Sequence, residues 1–408
     1  MAIRYSSSGG TPFGTTAQRS TLIPSPQYGQ TYFNGDLGYL EIYTVSGWFA
    51  ASTIAPSSPT SVVATNVGTS RAFNNGSASI AFNAGVNGGF PTSYTVTSTP
   101  GSYTSTGSSS PIVITGLQSS VQYTYTVVGT NNFGTSSASS ASSGVTATTV
   151  PATPSAPTVT NTTNVAYGGT PSQVVSWSAP STGGSTITSY TVTPSSGSAV
   201  TGLTGTSTTI NATAGTSYTY TVTAINANGS SSASSASSSL TAATVPQAPT
   251  IGTATKTGQT TATVAFTAPA NNGSSTITSY SIVSTPAGGS GTLSQAGSGT
   301  INVTGLTAAT NYTFTVYATN AIGNSSASAS SNQITTDAAS FNLQYLVVAG
   351  GGGGPGAWGG GGGGGGYRSN YGGSAITVNP STNYTVTIGA GGSSSGTNGG
   401  DSVFSTIT

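Results

Sequence analysis

The feature that most constrains the fold of this chain is a short motif that occurs three times at almost constant spacing. "YTYTV" stands at residues 123–127 and again at 218–222, and "YTFTV" stands at 312–316, so successive copies begin 95 and 94 residues apart. A period of this length indicates that one folded unit is repeated along the chain. An Asn-x-x-Gly turn signal and a run of serine and alanine follow each copy; the turns lie at 131–134, 226–229 and 320–323.

Prolines separate the copies and divide the 408 residues into five segments. Repeats are predicted at 55–149, 150–245 and 246–337, and they are called the first, second and third repeat below. Segments 1–54 and 338–408 flank them and differ from them in composition. A chain of this length is long enough for three or four domains of ordinary size, which agrees with three repeats and smaller flanking elements.

Each repeat is predicted to consist of β-strands. In "TATVAFT" (261–267), Ala262, Val264 and Phe266 alternate with small or polar residues, a period typical of a strand with one buried face. Turn signals recur about every ten residues, as in a β-sandwich. No window of the repeats carries an apolar helical stripe with capping residues. The predicted fold class is therefore all-β, with three tandem sandwiches between an N-terminal hairpin motif and a C-terminal β domain.

Aromatic side chains recur at equivalent places in the repeats. A leucine also lies six residues before the first tyrosine of the repeated motif, at Leu117 and Leu306, whereas Ala212 holds this place in the second repeat. These features resemble fibronectin type III domains, which implies a seven-stranded sandwich and a tyrosine corner, where a tyrosine hydroxyl bonds to nearby backbone. The aromatic residues are Phe82, Trp177 and Phe266 on the second strand, and Tyr94, Tyr190 and Tyr280 on the third.

The N-terminal segment 1–54 begins with a loop-like half and continues with two strand-like runs around "NGD" at 34–36, a hairpin signal. So short a segment cannot bury a large core, so we expect it to pair with copies of itself or to dock on a larger body. The pieces "GQTYFN", "GYLEIYT" and "GWFA" resemble a short β motif at the start of tailed-phage structural proteins. The resemblance implies attachment to other virion proteins, of the capsid or the tail.

The C-terminal segment 338–408 contains the strand pattern "LQYLVVA", long glycine tracts and the run 375–392, which is predicted to be a hairpin with "NPSTN" as its turn. Glycine tracts flanked by strands are expected to pack as polyproline II chains. The phrases "YLVVAGGGGG" and "GGDSVFST" resemble glycine-rich domains of phage structural and adhesin-like proteins. Members of that family continue with further glycine loops, so we expect the domain to be incomplete.

Four side chains interrupt the glycine tracts and are the candidate receptor-binding residues: Trp358, Tyr367, Arg368 and Tyr371. Aromatic groups on a scaffold with few charges suit stacking on sugars or docking in apolar pockets of a host-surface glycan or protein. The alternative is that they form the small core of the glycine-rich domain itself. Both interpretations remain open at this point.

Composition excludes several kinds of chemistry. The chain has no cysteine and no histidine, so disulfides, Cys/His zinc sites and a Ser-His-Asp triad are impossible. Charged residues make up 2% of the chain and the net charge is +1, so no basic patch is available for nucleic acid. The chain has no run of about 18 apolar residues, so the sequence predicts no membrane span. The glycine tract contains the G-x-G-x-x-G pattern of dinucleotide-binding loops, but that pattern is informative only between a strand and a helix. No helix pattern follows the tract, so we predict no nucleotide site.

The few charged residues also fail to suggest a catalytic or metal site. Asp36 is interpreted as a turn residue and Glu41 as a solvated side chain, since a continuous strand would point them to opposite faces. Asp337 lies at a predicted domain boundary and Asp401 in a turn, without an acidic cluster around either; Lys256, the single lysine, makes a Ser-Lys arrangement improbable. We therefore predict no catalytic residues, no cofactor and no metal, and a protein that is not an enzyme.

Together these observations predict a fibre or appendage on the surface of a tailed-phage virion, made in the host cytoplasm, since the N-terminus lacks a signal-peptide pattern. Residues 1–54 would anchor it, and the sandwiches would extend it by roughly 100 Å. The glycine-rich end would bind the host surface, in a homo-oligomer such as a trimer, because weak contacts gain from avidity. Two alternatives remain open: a capsid decoration protein without an obligatory receptor role, and a secreted bacterial adhesin.

Overall fold

The computed structural model describes residues 13–23, 25–27, 30–34, 39–44, 47–50, 55–85, 89–344, 346–348, 351–352, 367–369, 376–378, 384–392, 399 and 403–404. The chain forms two compact units. The first unit comprises Met1–Thr160, Ser172–Asn211 and Thr216–Thr241. The second unit comprises Asn161–Pro171, Ala212–Gly215 and Ala242–Thr408.

The N-terminal segment forms a four-stranded sheet in the order β1-β2-β3-β4, accompanied by one helix. The pairing of β2 with β3 and of β3 with β4 is antiparallel, so the predicted hairpin is confirmed, although its "NGD" turn extends beyond the described residues. The elements are β1 (Phe13–Gly14), α1 (Thr16–Leu22), β2 (Thr31–Asn34), β3 (Tyr39–Thr44) and β4 (Gly47–Ala50).

The helix α1 corrects the prediction that the first half of this segment is a loop. Thr15 and Gln18 form a capping box, in which Thr15 Oγ1 accepts from the Gln18 N–H (3.3 Å) and Gln18 Oε1 accepts from the Thr15 N–H (3.1 Å). Buried Tyr32 of β2 donates its hydroxyl hydrogen to the Thr15 carbonyl oxygen at 3.0 Å. Seven residues are too few to show a helical apolar period, so only the capping signal marks the helix in the sequence.

The first repeat folds into two sheets, with strand orders β5-β6-β9 and β11-β10-β7-β8, and β12 pairs with the start of β10. Its strands are β5 (Thr60–Asn66), β6 (Gly76–Asn83), β7 (Ser93–Thr99), β8 (Thr104–Gly107), β9 (Ile112–Leu117), β10 (Gln122–Asn131), β11 (Gly134–Thr135) and β12 (Val145–Thr146).

The second repeat has the sheets β13-β14-β17 and β16-β15-β19-β20, with β18 paired to β21. Its strands are β13 (Thr158–Asn161), β14 (Ser172–Ser176), β15 (Ile187–Pro194), β16 (Val200–Leu203), β17 (Ser207–Asn211), β18 (Ser217–Tyr218), β19 (Tyr220–Asn226), β20 (Gly229–Ser230) and β21 (Leu240–Thr241).

The third repeat has the sheets β22-β23-β26 and β25-β24-β27-β28. The orders β22-β23-β26 and β25-β24-β27 repeat those of the equivalent strands in the other repeats, and β28 pairs with the start of β27 as β12 does with the start of β10. The predicted fold class of tandem β-sandwiches is confirmed. The strands are β22 (Thr250–Lys256), β23 (Ala262–Thr267), β24 (Ser279–Thr285), β25 (Ser290–Leu293), β26 (Gly299–Val303), β27 (Asn311–Thr319) and β28 (Ile334–Thr335).

An aromatic pair lies between the two sheets of each repeat, as the recurring aromatic residues predict. The ring centroids of Phe82 and Tyr94 are 4.8 Å apart, and those of Trp177 and Tyr190 are 5.4 Å apart. In the third repeat, the Phe266 and Tyr280 rings are 4.2 Å apart. All six side chains are buried, so these pairs contribute both apolar area and ring contacts to the cores.

Two tyrosine corners have the geometry that the resemblance implies. Tyr123 Oη accepts from the Gln118 N–H and Tyr312 Oη accepts from the Thr307 N–H, each at 3.0 Å. The hydrogen bonds from Thr307 lower the pKa of Tyr312, because they stabilise the phenolate. Tyr218, the equivalent residue of the second repeat, is buried as well.

Each repeat has an unusual sheet edge, built on serines three residues apart. In the first repeat, Ser139 donates its N–H to the Val127 carbonyl oxygen (2.9 Å), and its Oγ accepts from the Val127 N–H (3.0 Å). Ser136 and Ser142 bond in the same two ways to Gly129 and Tyr125 of β10. The serine segment thus advances three residues for every two of β10, as in a succession of β-bulges.

The hydroxyl groups make this edge possible. In an ordinary antiparallel pair, the N–H groups of one strand donate to backbone carbonyl oxygens of the other. Here three N–H groups of β10 donate to serine Oγ atoms instead. The three serines are buried and the two residues between successive serines are exposed. A bulged edge of this kind also resists pairing with strands of other chains. The other repeats carry the same serines at 231, 234 and 237 and at 325, 328 and 331.

The buried tyrosines predict a loss of stability at alkaline pH. Burial raises the pKa of Tyr125 to about 12, with a further contribution from Tyr123. Burial also raises the pKa of five further core tyrosines, Tyr94, Tyr123, Tyr190, Tyr220 and Tyr280. Their ordinary pKa is 10.0, so the folded state holds these protons more tightly than the unfolded chain does. Stability should therefore be complete below pH 10 and should fall as the pH rises towards about 12.

An alkaline titration that follows tyrosinate absorbance and far-ultraviolet circular dichroism checks this expectation. Tyrosinate should form together with a cooperative loss of the β-sheet signal. Titration of all tyrosines near pH 10 with an intact β-sheet signal would contradict it.

The glycine-rich segment contributes six short described strands in three antiparallel pairs, which are β29 with β32, β30 with β31 and β33 with β34. The predicted hairpin over 375–392 is wrong, because β32 and β33 pair with other strands. Its long "NPSTN" connection does not enforce local pairing as a two-residue turn does. The strands are β29 (Phe341–Leu343), β30 (Leu346–Val348), β31 (Tyr367–Ser369), β32 (Ile376–Val378), β33 (Val386–Thr387) and β34 (Val403–Phe404).

Candidate functional site

Within the first unit, the turn after β5 is bonded to the second repeat. The Ser70 N–H donates to the Asn228 carbonyl oxygen at 2.8 Å, and the Val150 N–H donates to the Arg71 carbonyl oxygen at 3.0 Å. Ser70 has a positive φ of 59°, the left-handed conformation that occurs in tight turns. The connecting chain is also bonded to the second repeat, because the Thr149 N–H donates to the Gly183 carbonyl oxygen at 2.8 Å, and this arrangement is called the first joint.

Within the second unit, the same arrangement occurs between the turn after β13 and the third repeat. The Asn164 N–H donates to the Ile322 carbonyl oxygen at 2.8 Å, and the Val245 N–H donates to the Val165 carbonyl oxygen at 2.9 Å. Asn164 also has a positive φ, of 58°. This second joint therefore uses the same backbone groups as the first joint, shifted by one repeat.

The first residue of the Asn-x-x-Gly turn in the second and third repeats explains why the connecting chain is held. Asn226 is buried and its Nδ2 donates to the carbonyl oxygens of Thr149 (2.9 Å) and Thr182 (2.8 Å). Asn320 is buried too, and its Nδ2 donates to the Thr244 carbonyl oxygen at 2.9 Å. An aspartate could form the turn but could not donate these bonds.

The glycine of the same turn provides room for the connecting chain. Gly229 and Gly323 have φ values of +129° and +148°, and a Cβ at either would lie 3.3–3.4 Å from Val150 or Val245. The sequence prediction identified these four-residue segments as turns but missed their role in the joints. The sequence feature that points to this role is that asparagine and glycine occupy the same two positions of the turn in all three copies.

The N-terminal sheet contains a buried polar network that corrects the interpretation of Glu41. Glu41 is 4% exposed, and both its carboxylate oxygens lie 2.7 Å from Arg19 Nη1. Asn34 Nδ2 donates to Glu41 Oε2 (3.1 Å) and to Thr16 Oγ1 (2.8 Å). Glu41 was expected to be solvated because the helix that carries Arg19 was not predicted. Asp36 lies outside the described residues.

The remaining charges provide no arrangement for metal or acid–base chemistry in the described part of the chain. Lys256 and Asp337 form an exposed ion pair, and Asp401 lies outside the described residues. No group of three acidic, histidine or cysteine side chains that could hold a metal ion occurs among the described residues. No described helix is long and apolar enough to cross a membrane. The absence of a catalytic function remains a prediction.

The four candidate receptor-binding residues are only partly placed. Tyr367 and Arg368 are neighbours in β31, opposite Val348 and Val347 of β30, so the glycine tract between these two strands connects an antiparallel pair. Trp358 and Tyr371 lie outside the described residues. The binding role of all four therefore remains a prediction.

Comparison with known families identifies three domains. The fibronectin type III domain model matches residues 155–240 and 247–334, and the glycine-rich domain model matches residues 325–408. The chain thus contains two fibronectin type III domains and a glycine-rich domain, whereas the resemblance stated above implies three fibronectin type III domains. The first repeat shares their strand order, although the family match does not extend to it.

Among solved structures, the chain is similar to the chicken CNTN1 FN1-FN3 domains, with 17% sequence identity and a TM-score of 0.36. The similarity covers 69% of this chain and 99% of that one. No curated protein matches the chain. The combination of fibronectin type III and glycine-rich domains indicates an extracellular or surface protein of the adhesion type.

Proposed function

We propose that this protein is a non-enzymatic fibre or appendage on the virion surface of a tailed phage. Residues 1–54 attach it to other virion proteins, the three repeats act as spacers, and the glycine-rich domain contacts the host surface. The protein is made in the host cytoplasm and works as a homo-oligomer such as a trimer. The N-terminal pieces "GQTYFN", "GYLEIYT" and "GWFA", which resemble a motif of phage structural proteins, support the phage assignment.

The observation that carries the spacer role is the pair of bonded joints. A spacer must keep its domains in a fixed relation, and a free linker between domains would not do so. At both joints, a buried asparagine and two backbone hydrogen bonds hold the connecting chain, so few of its residues remain free to rotate. Stiff spacing favours simultaneous binding by several copies when the spacer length matches the distance between receptors, because the effective concentration of the tips is highest at that match.

Virion composition provides the first test of this proposal. Purified particles should contain the protein, and antibodies against the third repeat should decorate the particle surface in electron micrographs. Absence from purified particles would reject both the fibre and the decoration function and would favour a secreted adhesin.

Host adsorption provides the second test and separates a fibre from a decoration protein. Phage carrying alanine at Trp358, Tyr367, Arg368 and Tyr371 should adsorb at least about tenfold more slowly, since multivalent attachment amplifies the loss of each contact. A matched control carries alanine at Val113 and Val283, which are exposed on the repeats. Equal adsorption of both variants, together with unchanged adsorption after deletion of 338–408, would reject the receptor-binding role.

A further inference from the structure

Each joint contains an open cleft, and the two clefts occupy equivalent places in the fold. The first joint cleft, of about 580 Å³, lies between the turn 70–73, the connecting chain 150–153 and residues 229–232. The second joint cleft, of about 340 Å³, lies between 164–167, 245–248 and 324–326. Both volumes fall within the range of small-molecule binding sites.

The walls of both clefts are fixed before any ligand arrives. The bonds from Val150 to Arg71 and from Val245 to Val165 join the turn to the connecting chain. The N–H groups of Ser70 and Asn164, in the same two turns, bond to the Asn-x-x-Gly turns that form the third wall of each cleft. A ligand would therefore bind without ordering a loop, which removes one of the main costs of binding.

The linings share a chemical pattern although their sequences differ. An aromatic ring borders each cleft at the same place: Phe73 is partly exposed in the first, and Tyr167 is 44% exposed in the second. Val150 or Val245 provides an aliphatic surface. Small apolar residues and side-chain hydroxyls and amides form the rest of the lining; the polar ones include Thr153, Ser230, Gln247 and Asn324. None of the lining residues carries a charge, and the guanidinium of Arg71, in the turn 70–73, is bonded to Asn75.

This pattern suits a ligand that has an apolar C–H face, many hydroxyl groups and no charge. A ring exposed at the edge of a cleft can stack on such a face, and the amides and hydroxyls can exchange hydrogen bonds with the ligand. We propose that the two joint clefts bind neutral saccharide units. The lining residues lie outside segment 338–408, so this inference does not depend on the receptor-binding role proposed above.

An array of neutral and anionic oligosaccharides, probed with the full-length protein, tests the inference. At least one neutral oligosaccharide should bind. Alanine at Phe73 or Tyr167 should weaken binding, and the double variant should weaken it by at least about tenfold, since ring stacking contributes on this scale. Phe133→Ala is the matched control, because Phe133 is an exposed ring that does not line either cleft, and it should bind as the parent protein does.

A second variant keeps the rings and fills the clefts, which separates loss of binding from loss of folding. Ser232 and Ser326 are exposed lining residues, and Ser232→Trp with Ser326→Trp should abolish binding while the circular dichroism and the thermal transition stay unchanged. Failure of every neutral oligosaccharide to bind would overturn the proposal. Preference for anionic sugars, or unchanged binding in the double alanine and the cleft-filled variants, would also overturn it.

Discussion

Replacing Ser136, Ser139 and Ser142 together by alanine is expected to lower the free energy of unfolding of the first repeat by about 3–6 kcal/mol. Each substitution removes the hydroxyl that accepts from a buried N–H of β10 and that donates to the carbonyl of the next residue, so both backbone groups lose this partner. A buried donor without an acceptor costs about 1–3 kcal/mol. Since a domain is stable by only about 5–15 kcal/mol, the loss should leave the first repeat partly unfolded.

Hydrogen exchange of the full chain, read by mass spectrometry, measures this effect. The amides of β10 should lose protection, and the unfolding transition of the first repeat should shift to lower denaturant concentration. Alanine at Ser137, Ser140 and Ser143 is the matched control, since these serines lie in the same segment but are exposed. Their replacement should change the stability by less than about 0.5 kcal/mol each. Equal protection in both triple variants would mean that the backbone bonds of the serine segment are sufficient.

Replacing Glu41 by glutamine is expected to destabilise the N-terminal sheet by about 3 kcal/mol. The variant leaves the Arg19 guanidinium beside a neutral amide in a site where the glutamate is 4% exposed. Breaking a buried ion pair from one side costs about 3–5 kcal/mol, and the lower end applies because the Arg19 side chain is 24% exposed. The double variant Arg19→Met with Glu41→Gln should recover part of the loss, since it removes both charges.

The exposed ion pair of the third repeat provides the matched control. Lys256 and Asp337 have side chains that are 53% and 48% exposed, so Asp337→Asn should cost about 1 kcal/mol or less. Hydrogen-exchange protection of the β2 and β3 amides measures the effect of Glu41→Gln. Protection of the β22 amides measures the effect of Asp337→Asn. Equal losses from Glu41→Gln and Asp337→Asn would show that burial of the Arg19–Glu41 pair has no consequence for stability.

The sandwich fold was predictable because its signals are local. The alternation around Val264 and the recurring aromatic residues such as Phe266 and Tyr280 mark buried strand faces directly, and the structure places those rings in contact. The helix α1 was missed because a single capping box encodes it, and the error on Glu41 followed from that omission. The hairpin over 375–392 failed because the pairing of strands as short as three residues depends on which other strands lie beside them.

The candidate sites were less predictable, because they consist of contacts between distant segments. The Asn-x-x-Gly turns were visible in the sequence, but the bond from Asn226 to the Thr149 carbonyl joins residues 77 positions apart. The serine spacing of three was equally visible, yet its meaning depends on β10, whose N–H groups it satisfies. Phe73 and Tyr167 carry no signal at all until the folded joints place a cleft beside them.

The sequence by itself determined the number of repeats, their all-β character, the side chains of their cores and the exclusion of histidine and cysteine chemistry. Those properties follow from composition, from the alternation of residues within single strands and from a motif that recurs at intervals of 95 and 94 residues, all of which are present before the chain has folded. Only the tertiary structure decided where the buried polar groups find their partners: serine hydroxyls on β10, asparagine amides on the connecting chain, and Arg19 on Glu41. A buried hydrogen-bonding group must be satisfied, but the partner is whichever segment the fold brings within about 3 Å.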